Sequence, residues 1–167
     1  MKRKLSALFC CLLCLLLCFG TLTANAESPD TERAQKIADD LLAFAQGGLR
    51  AQEWLDTTLS AQAGVGAEWY VLCLAQSGEY DFSAYRNALD SYLSQNETGS
   101  ASSRLKYALT LAAIGSTDSY ISQTLNDSIG EQGLMSWVYG LHLMNNGITC
   151  TEYTAEEVIK TILSMQL

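Results

Sequence analysis

The chain has 167 residues, with 18 acidic against 10 basic side chains and a formal net charge of −8. That sign repels phosphate backbones and anionic headgroups, which argues against nucleic-acid and membrane-surface roles. His142 is the only histidine and Cys150 lies eight residues on; one His and one nearby Cys do not make a zinc site, which needs three or four converging ligands.

The first residues read as an export signal. Lys2, Arg3 and Lys4 precede an apolar run from Leu5 to Phe19, and Ala24-Asn25-Ala26 offers a small-residue cleavage site. The run is short for a membrane span, which needs about 20 residues. Residues 1–26 are therefore a signal peptide cleaved after Ala26, and the remainder is secreted or wall-associated with no membrane span. After cleavage, seven basic residues face eighteen acids, a net charge of −11. Four of the six cysteines leave with the signal, so Cys73 and Cys150 are no disulfide scaffold. Export permits them to pair. The preferred reading makes Cys73 a small buried hydrophobe within Trp69–Ala75.

Residues 27–66 read as N-terminal helices and a Gly/Ala connection. Ser28-Pro29-Asp30 starts the first helix. Ala34, Ile37, Leu41, Phe44 and Ala45 share its inward face, and Gly47-Gly48 ends it. The pair Asp39-Asp40, with Arg33 and Lys36 within a turn, reads as a solvated face with local ion pairs. A second helix covers about Leu49 to Leu59, through Ala51, Trp54, Leu55 and Leu59. Gly64-Val65-Gly66 follows no strand and has no further Gly and Lys, so it reads as a hinge rather than a phosphate loop.

Residues 67–167 show a rhythm. Glu68–Ser77 is a compact helix, apolar nearly all round, which neighbours must enclose. Asp81 or Ser83 caps an amphipathic helix that runs to about Gln95, with Tyr85, Ala88, Leu89, Tyr92 and Leu93 facing in. Ser102–Ile114 is apolar, Asp118–Asp127 amphipathic, and Leu134–Asn146 apolar again. Thr154-x-x-Glu157 is a capping box opening a last helix with Val158, Ile159, Ile162 and Leu163. Apolar helices stop at Gly78, Gly115 and Gly147, spaced by 37 and 32 residues. Trp69 and Trp137 hold matching places in the first and third pairs, where the second pair has Leu105 or Lys106. A two-helix period of this length predicts an all-α repeat architecture.

Three stretches carry a family resemblance: Ala67–Gly78 (AEWYVLCLAQSG), Tyr107–Gly115 (YALTLAAIG) and Ile162–Leu167 (ILSMQL). Together they resemble the prenyltransferase and squalene-oxidase repeat of the α/α-toroid superfamily, which includes terpenoid cyclases, and more closely its secreted Firmicutes versions. The resemblance covers the chain from about residue 30 onward. It implies helical hairpins forming a partial α/α toroid, an arc of three to four helix pairs with inner and outer helices. A full ring uses about six pairs, and Ser164-x-Gln166-Leu167 matches a stretch that leads into a Gly-rich turn in the family. The chain is accordingly expected to be a fragment. An open arc exposes apolar surface, which opens a route to self-association.

The catalytic patterns of that superfamily are not met. The chain has no Asp-x-Asp-Asp acid motif, and after the only aspartate pair, Asp39-Asp40, an Asp-Asp-x-x-Asp motif fails because position 43 is Ala and 44 is Phe. His142 sits among Leu141, Leu143 and Met144 and reads as a partly buried structural side chain. Glu68-Trp69 is the pair of most interest, because many secreted members place an acid before Trp here. One reading puts Glu68 at a cavity mouth beside an aromatic wall, for a cationic or sugar-like ligand. The other has Glu68 offset unpaired N–H groups in the first helical turn while Trp69 anchors the core.

Glu68, Trp69 and Trp137 are thus the candidate ligand-binding residues, with no catalytic residue, metal or cofactor assigned. The expected function is an exported, non-catalytic module binding a ligand or a cell-surface partner. The alternative is the N-terminal fragment of a cyclase- or prenyltransferase-like enzyme whose catalytic part lies elsewhere.

Overall fold

The computed structural model describes residues 33, 36, 37, 40, 43–77, 80–96 and 99–165. The signal sequence, Ala34, Asp39, Leu41, Gly78 and the final Gln166-Leu167 lie outside the described residues. The protein is all-helical, with no strand among the described residues. Contacts divide it into two compact units, residues 1–51 and residues 52–167.

In the first unit, the described residues from Arg33 to Gln46 are helical. Lys36 and Asp40 form an exposed i, i+4 ion pair at 2.8 Å, as the charge pattern predicts. Ile37 and Phe44, expected to face inward, are exposed.

The second unit begins within α1 (Ala51–Trp54), which runs directly into a π-helical turn at Leu55–Leu59. The apolar face read from the sequence is buried at Trp54, Leu55 and Leu59. The wider turn was not foreseen, because i→i+5 bonding leaves no distinct residue pattern. Gln52 clamps the following loop: its amide donates to Asp81 O at 2.8 Å and its Oε1 accepts the Asp81 N–H at 3.0 Å.

Six helices follow. They are α2 (Glu68–Ser77), α3 (Ser83–Gln95), α4 (Ala101–Ala113), α5 (Ser119–Ser128), α6 (Gly133–Asn145) and α7 (Ala155–Ser164). Each begins within a residue or two of its expected start, and side-chain caps fix three of these starts, those of α4, α5 and α7. Ser100 Oγ accepts the Ser103 N–H, and Asp118 Oδ1 accepts the Tyr120 N–H. The Thr154/Glu157 capping box closes in both directions. Asp81 departs from expectation: it turns the chain through the Ser83 N–H, and Phe82 occupies the cap position.

Gly115 and Gly147 stop α4 and α6 at φ of 76° and 86°. Both ends are Schellman motifs, with Ser116 N–H to Leu111 O at 2.9 Å and Ile148 N–H to Leu143 O at 3.1 Å.

α2 packs on α4, and α4 on α6, so the three apolar helices form one row. The amphipathic helices lie against that row or its leading turn: α3 on the π turn, α5 on α4 and α6, and α7 on α6. The core runs through the row in Val71, Leu74, Leu105, Ala108, Leu111 and Leu143. Leu89, Leu125 and Val158 seal it from the outer helices. In α7 only Val158 of the predicted face is buried, whereas Ile159 and Leu163 are exposed.

His142 is half-buried in the last turn of α6. Burial holds its pKa below the usual 6.5. The unfolded chain therefore takes up a proton first as pH falls, so stability drops below about pH 6.5 until the folded pKa is passed. Replacing His142 with Gln should flatten that part of the acid limb in melts recorded from pH 7.5 to 5. An unchanged acid limb would show that His142 does not supply it.

Candidate functional site

Glu68 opens α2 and is wholly buried, at 0% exposure. A carboxylate at that depth must recover the hydration it loses. Its Oε1 accepts the Gly64 N–H at 2.7 Å and the Tyr85 O–H at 3.2 Å. Its Oε2 lies 2.9 Å from Lys106 Nζ. That approach is an ion pair by distance but lacks the alignment of a hydrogen bond, so Oε2 has a charge partner and no directed donor. Lys106 itself is nearly enclosed, with its side chain 17% exposed, and its ammonium stands 4.9 Å from the Tyr107 ring centre.

The loop before α2 closes the arrangement. Gly64 has φ +81° and its carbonyl accepts the Tyr107 O–H at 2.7 Å. The Tyr92 ring fills the place where a Cβ would stand, so only glycine fits here. Tyr92 meets Tyr107 edge-on at 5.9 Å. Both backbone groups of Gly64 are thereby bonded, and the segment read as a hinge is anchored at this residue. Val65, next along, is exposed.

Tyr85 and Tyr107 have their phenol pKa values driven far upward, first by burial. For Tyr85 the adjacent Glu68 carboxylate adds to the effect; for Tyr107 the neighbouring Tyr92 comes next. Both phenols stay protonated and act as donors. The cluster is therefore a joint among the 60s loop, α2, α3 and α4, with its donors and acceptors turned toward one another.

The three candidate residues are not brought together as one site. Glu68 is enclosed, and it serves the Gly64 amide of the preceding loop. Trp69 is half-buried and meets Tyr139 of α6 at 5.8 Å, with the rings tilted by 50°. Trp137 is half-buried as well, edge-on to Tyr153 at 5.1 Å, with its ring over Gly130. Trp69 and Tyr139 thus link the two ends of the α2–α4–α6 row, while Trp137 faces the connection to α7.

Sequence reading missed Lys106 and Tyr85 as partners of Glu68. The available signal was Lys106 itself, a cation set between Leu105 and Tyr107 near the place that the sequence reading gives to Trp in the other two pairs. Cys73 and Cys150 are free thiols, both half-buried, and burial pushes the Cys73 thiol up to about 11. Among the described residues no group of three or more His, Cys, Asp or Glu side chains could hold a metal ion.

The joint makes an asymmetric prediction for chemical denaturation. Lys106→Met leaves Glu68 buried without a counter-charge and should cost about 3–5 kcal/mol. Glu68→Gln leaves a lysine that can still reach water and should cost less, about 1–3 kcal/mol. The double variant should be more stable than the sum of the two losses implies. Equal, additive losses would show that the pair is not coupled. Separately, Gly64→Ala should cost about 2–4 kcal/mol, from left-handed strain and displacement of Tyr92; a wild-type denaturation midpoint would refute the close approach. No family model, curated protein or solved structure matches this chain.

Proposed function

We propose that this protein is an exported, non-catalytic interaction module, built as an arc of helix pairs of the α/α-toroid type, that binds a ligand or cell-surface partner through aromatic side chains of its inner helices. The row α2–α4–α6, with amphipathic helices laid against it, supports the arc. The observation that carries the binding role is the contact between half-buried Trp69 and Tyr139 across the row, beside a glutamate whose charge Lys106 already answers.

That arrangement favours a ligand with flat, weakly polar faces. Indole and phenol rings offer apolar area together with polar tips, as sites for sugar-like or apolar ring ligands do. A cationic ligand has less to gain, because Glu68 is enclosed and paired. The same enclosure argues against Glu68 as a general acid, which must come within hydrogen-bond reach of the group it protonates.

Two measurements test the reading. Mass spectrometry of protein recovered from culture medium should find an N-terminus at Glu27; protein that stays inside the cell with residues 1–26 attached would remove the export claim. Tryptophan fluorescence should change saturably when the purified protein is titrated with soluble cell-wall glycan fragments. That response should fall at least about ten-fold in affinity in Trp69→Leu while the melting midpoint shifts little. A response that persists in Trp69→Leu, or no response to any fragment, would overturn the assignment of Trp69.

A further inference from the structure

The last helix carries two apolar faces. Val158 turns one toward the core and is fully buried. Ile159 and Leu163, one turn apart, form the other and are 44% and 57% exposed. Leu134 and Met135, in the first turn of α6 against which α7 packs, are exposed too. The neighbouring outer helix shows what such a face can be for. α5 lies between two helices of the row, α4 and α6, and buries Ile121, Thr124 and Leu125.

The charges on α7 say what fits the open stripe. At about 3.6 residues per turn, Glu156 and Lys160 border Ile159 and Leu163 on one flank. They form an exposed i, i+4 pair at 2.8 Å, acid first and base second along the helix. Glu157 does not share that edge, because its carboxylate turns back to the Thr154 N–H and hydroxyl. Reversing a second copy of the same helix sets Lys160 of one chain beside Glu156 of the other, twice, about a two-fold axis. A nucleic acid or anionic membrane meets a strongly acidic protein there instead.

We infer that the Ile159/Leu163 stripe of α7 is a self-association surface, on which two copies of this chain pair antiparallel with reciprocal Glu156–Lys160 contacts. The stripe is small beside the 20–30 residues per partner of a standard stable interface, so the dimer is weak and concentration-dependent. The surface does not involve Trp69, so the ligand titration above and this inference stand or fall separately.

Sedimentation equilibrium from about 10 μM to 1 mM tests it. Wild type should pass from monomer to dimer over that range, and Leu163→Asp should remain monomeric with an unchanged circular-dichroism melt. Lys160→Glu and Glu156→Lys should each weaken self-association roughly ten-fold, since both reciprocal contacts become repulsive. An equimolar mixture of those two variants should regain association, because each then meets its opposite. A wild-type monomer throughout, or a Leu163→Asp dimer of wild-type affinity, would overturn the surface. A mixture that associates no better than either variant alone would overturn the antiparallel pairing.

Discussion

A carboxylate shut away from water obliges the chain to bring donors to it, and at Glu68 those donors come from separate elements. The Gly64 amide belongs to the loop before α2, Tyr85 to α3 and Lys106 to α4. Their convergence fixes where the loop crosses the helices and how α3 and α4 stand relative to the start of α2. Tyr107 then bonds the Gly64 carbonyl, and Tyr92 occupies the space that a glycine leaves free. Each group supports the position of another, so loss of one leaves a buried polar atom without its partner. Apolar burial supplies most of the driving force in such a fold, but it is non-directional. The polar joint adds direction: sliding α4 along α2 by one turn would strand both Glu68 and Lys106.

Away from that joint, the hairpins are tied by a cheaper device. Side-chain amides bridge loops that lie far apart in sequence. Gln52 binds both backbone groups of Asp81, and Gln132 Oε1 accepts from Ser100 Oγ at 2.6 Å and from Ser102. Asn126 Oδ1 accepts both the N–H and the hydroxyl of Thr151 at 2.7 Å. These contacts are exposed, so water competes and each contributes little net stability. Their effect is geometric, since every one joins the end of one helix pair to the next.

How much was legible follows the range of each interaction. Helix ends were readable because caps and Schellman glycines act within six residues. Asp118, Thr154 with Glu157, Gly115 and Gly147 all did locally what their sequence context requires. The buried faces of α2 and α4 were readable because apolar residues all round a helix demand enclosure. The π turn at Leu55–Leu59 was not, since the same residues suit an ordinary helix. The partners of Glu68 were not, because Tyr85 and Lys106 stand 17 and 38 positions away and no local rule joins them. The exposure of Ile159 and Leu163 was missed for another reason: periodicity marks an apolar stripe without saying whether a neighbour exists to cover it.

The irregular place in the repeat now has a physical account. Trp69 and Trp137 hold the places that the sequence reading matches, and their aromatic neighbours Tyr139 and Tyr153 meet them tilted and edge-on. Lys106 stands near the corresponding place in α4, the middle helix of the row. Beside it lies the buried Oε2 of Glu68, which a tryptophan could offer one N–H but no positive charge. A lysine meets the charge at 2.9 Å through a side chain that is 17% exposed rather than wholly buried. The lysine in α4 therefore answers the acid at the start of α2. Once a glutamate is buried there, the helix packed against it must give a position to a cation rather than an aromatic ring, and Trp69 and Tyr139 stand on the helices to either side.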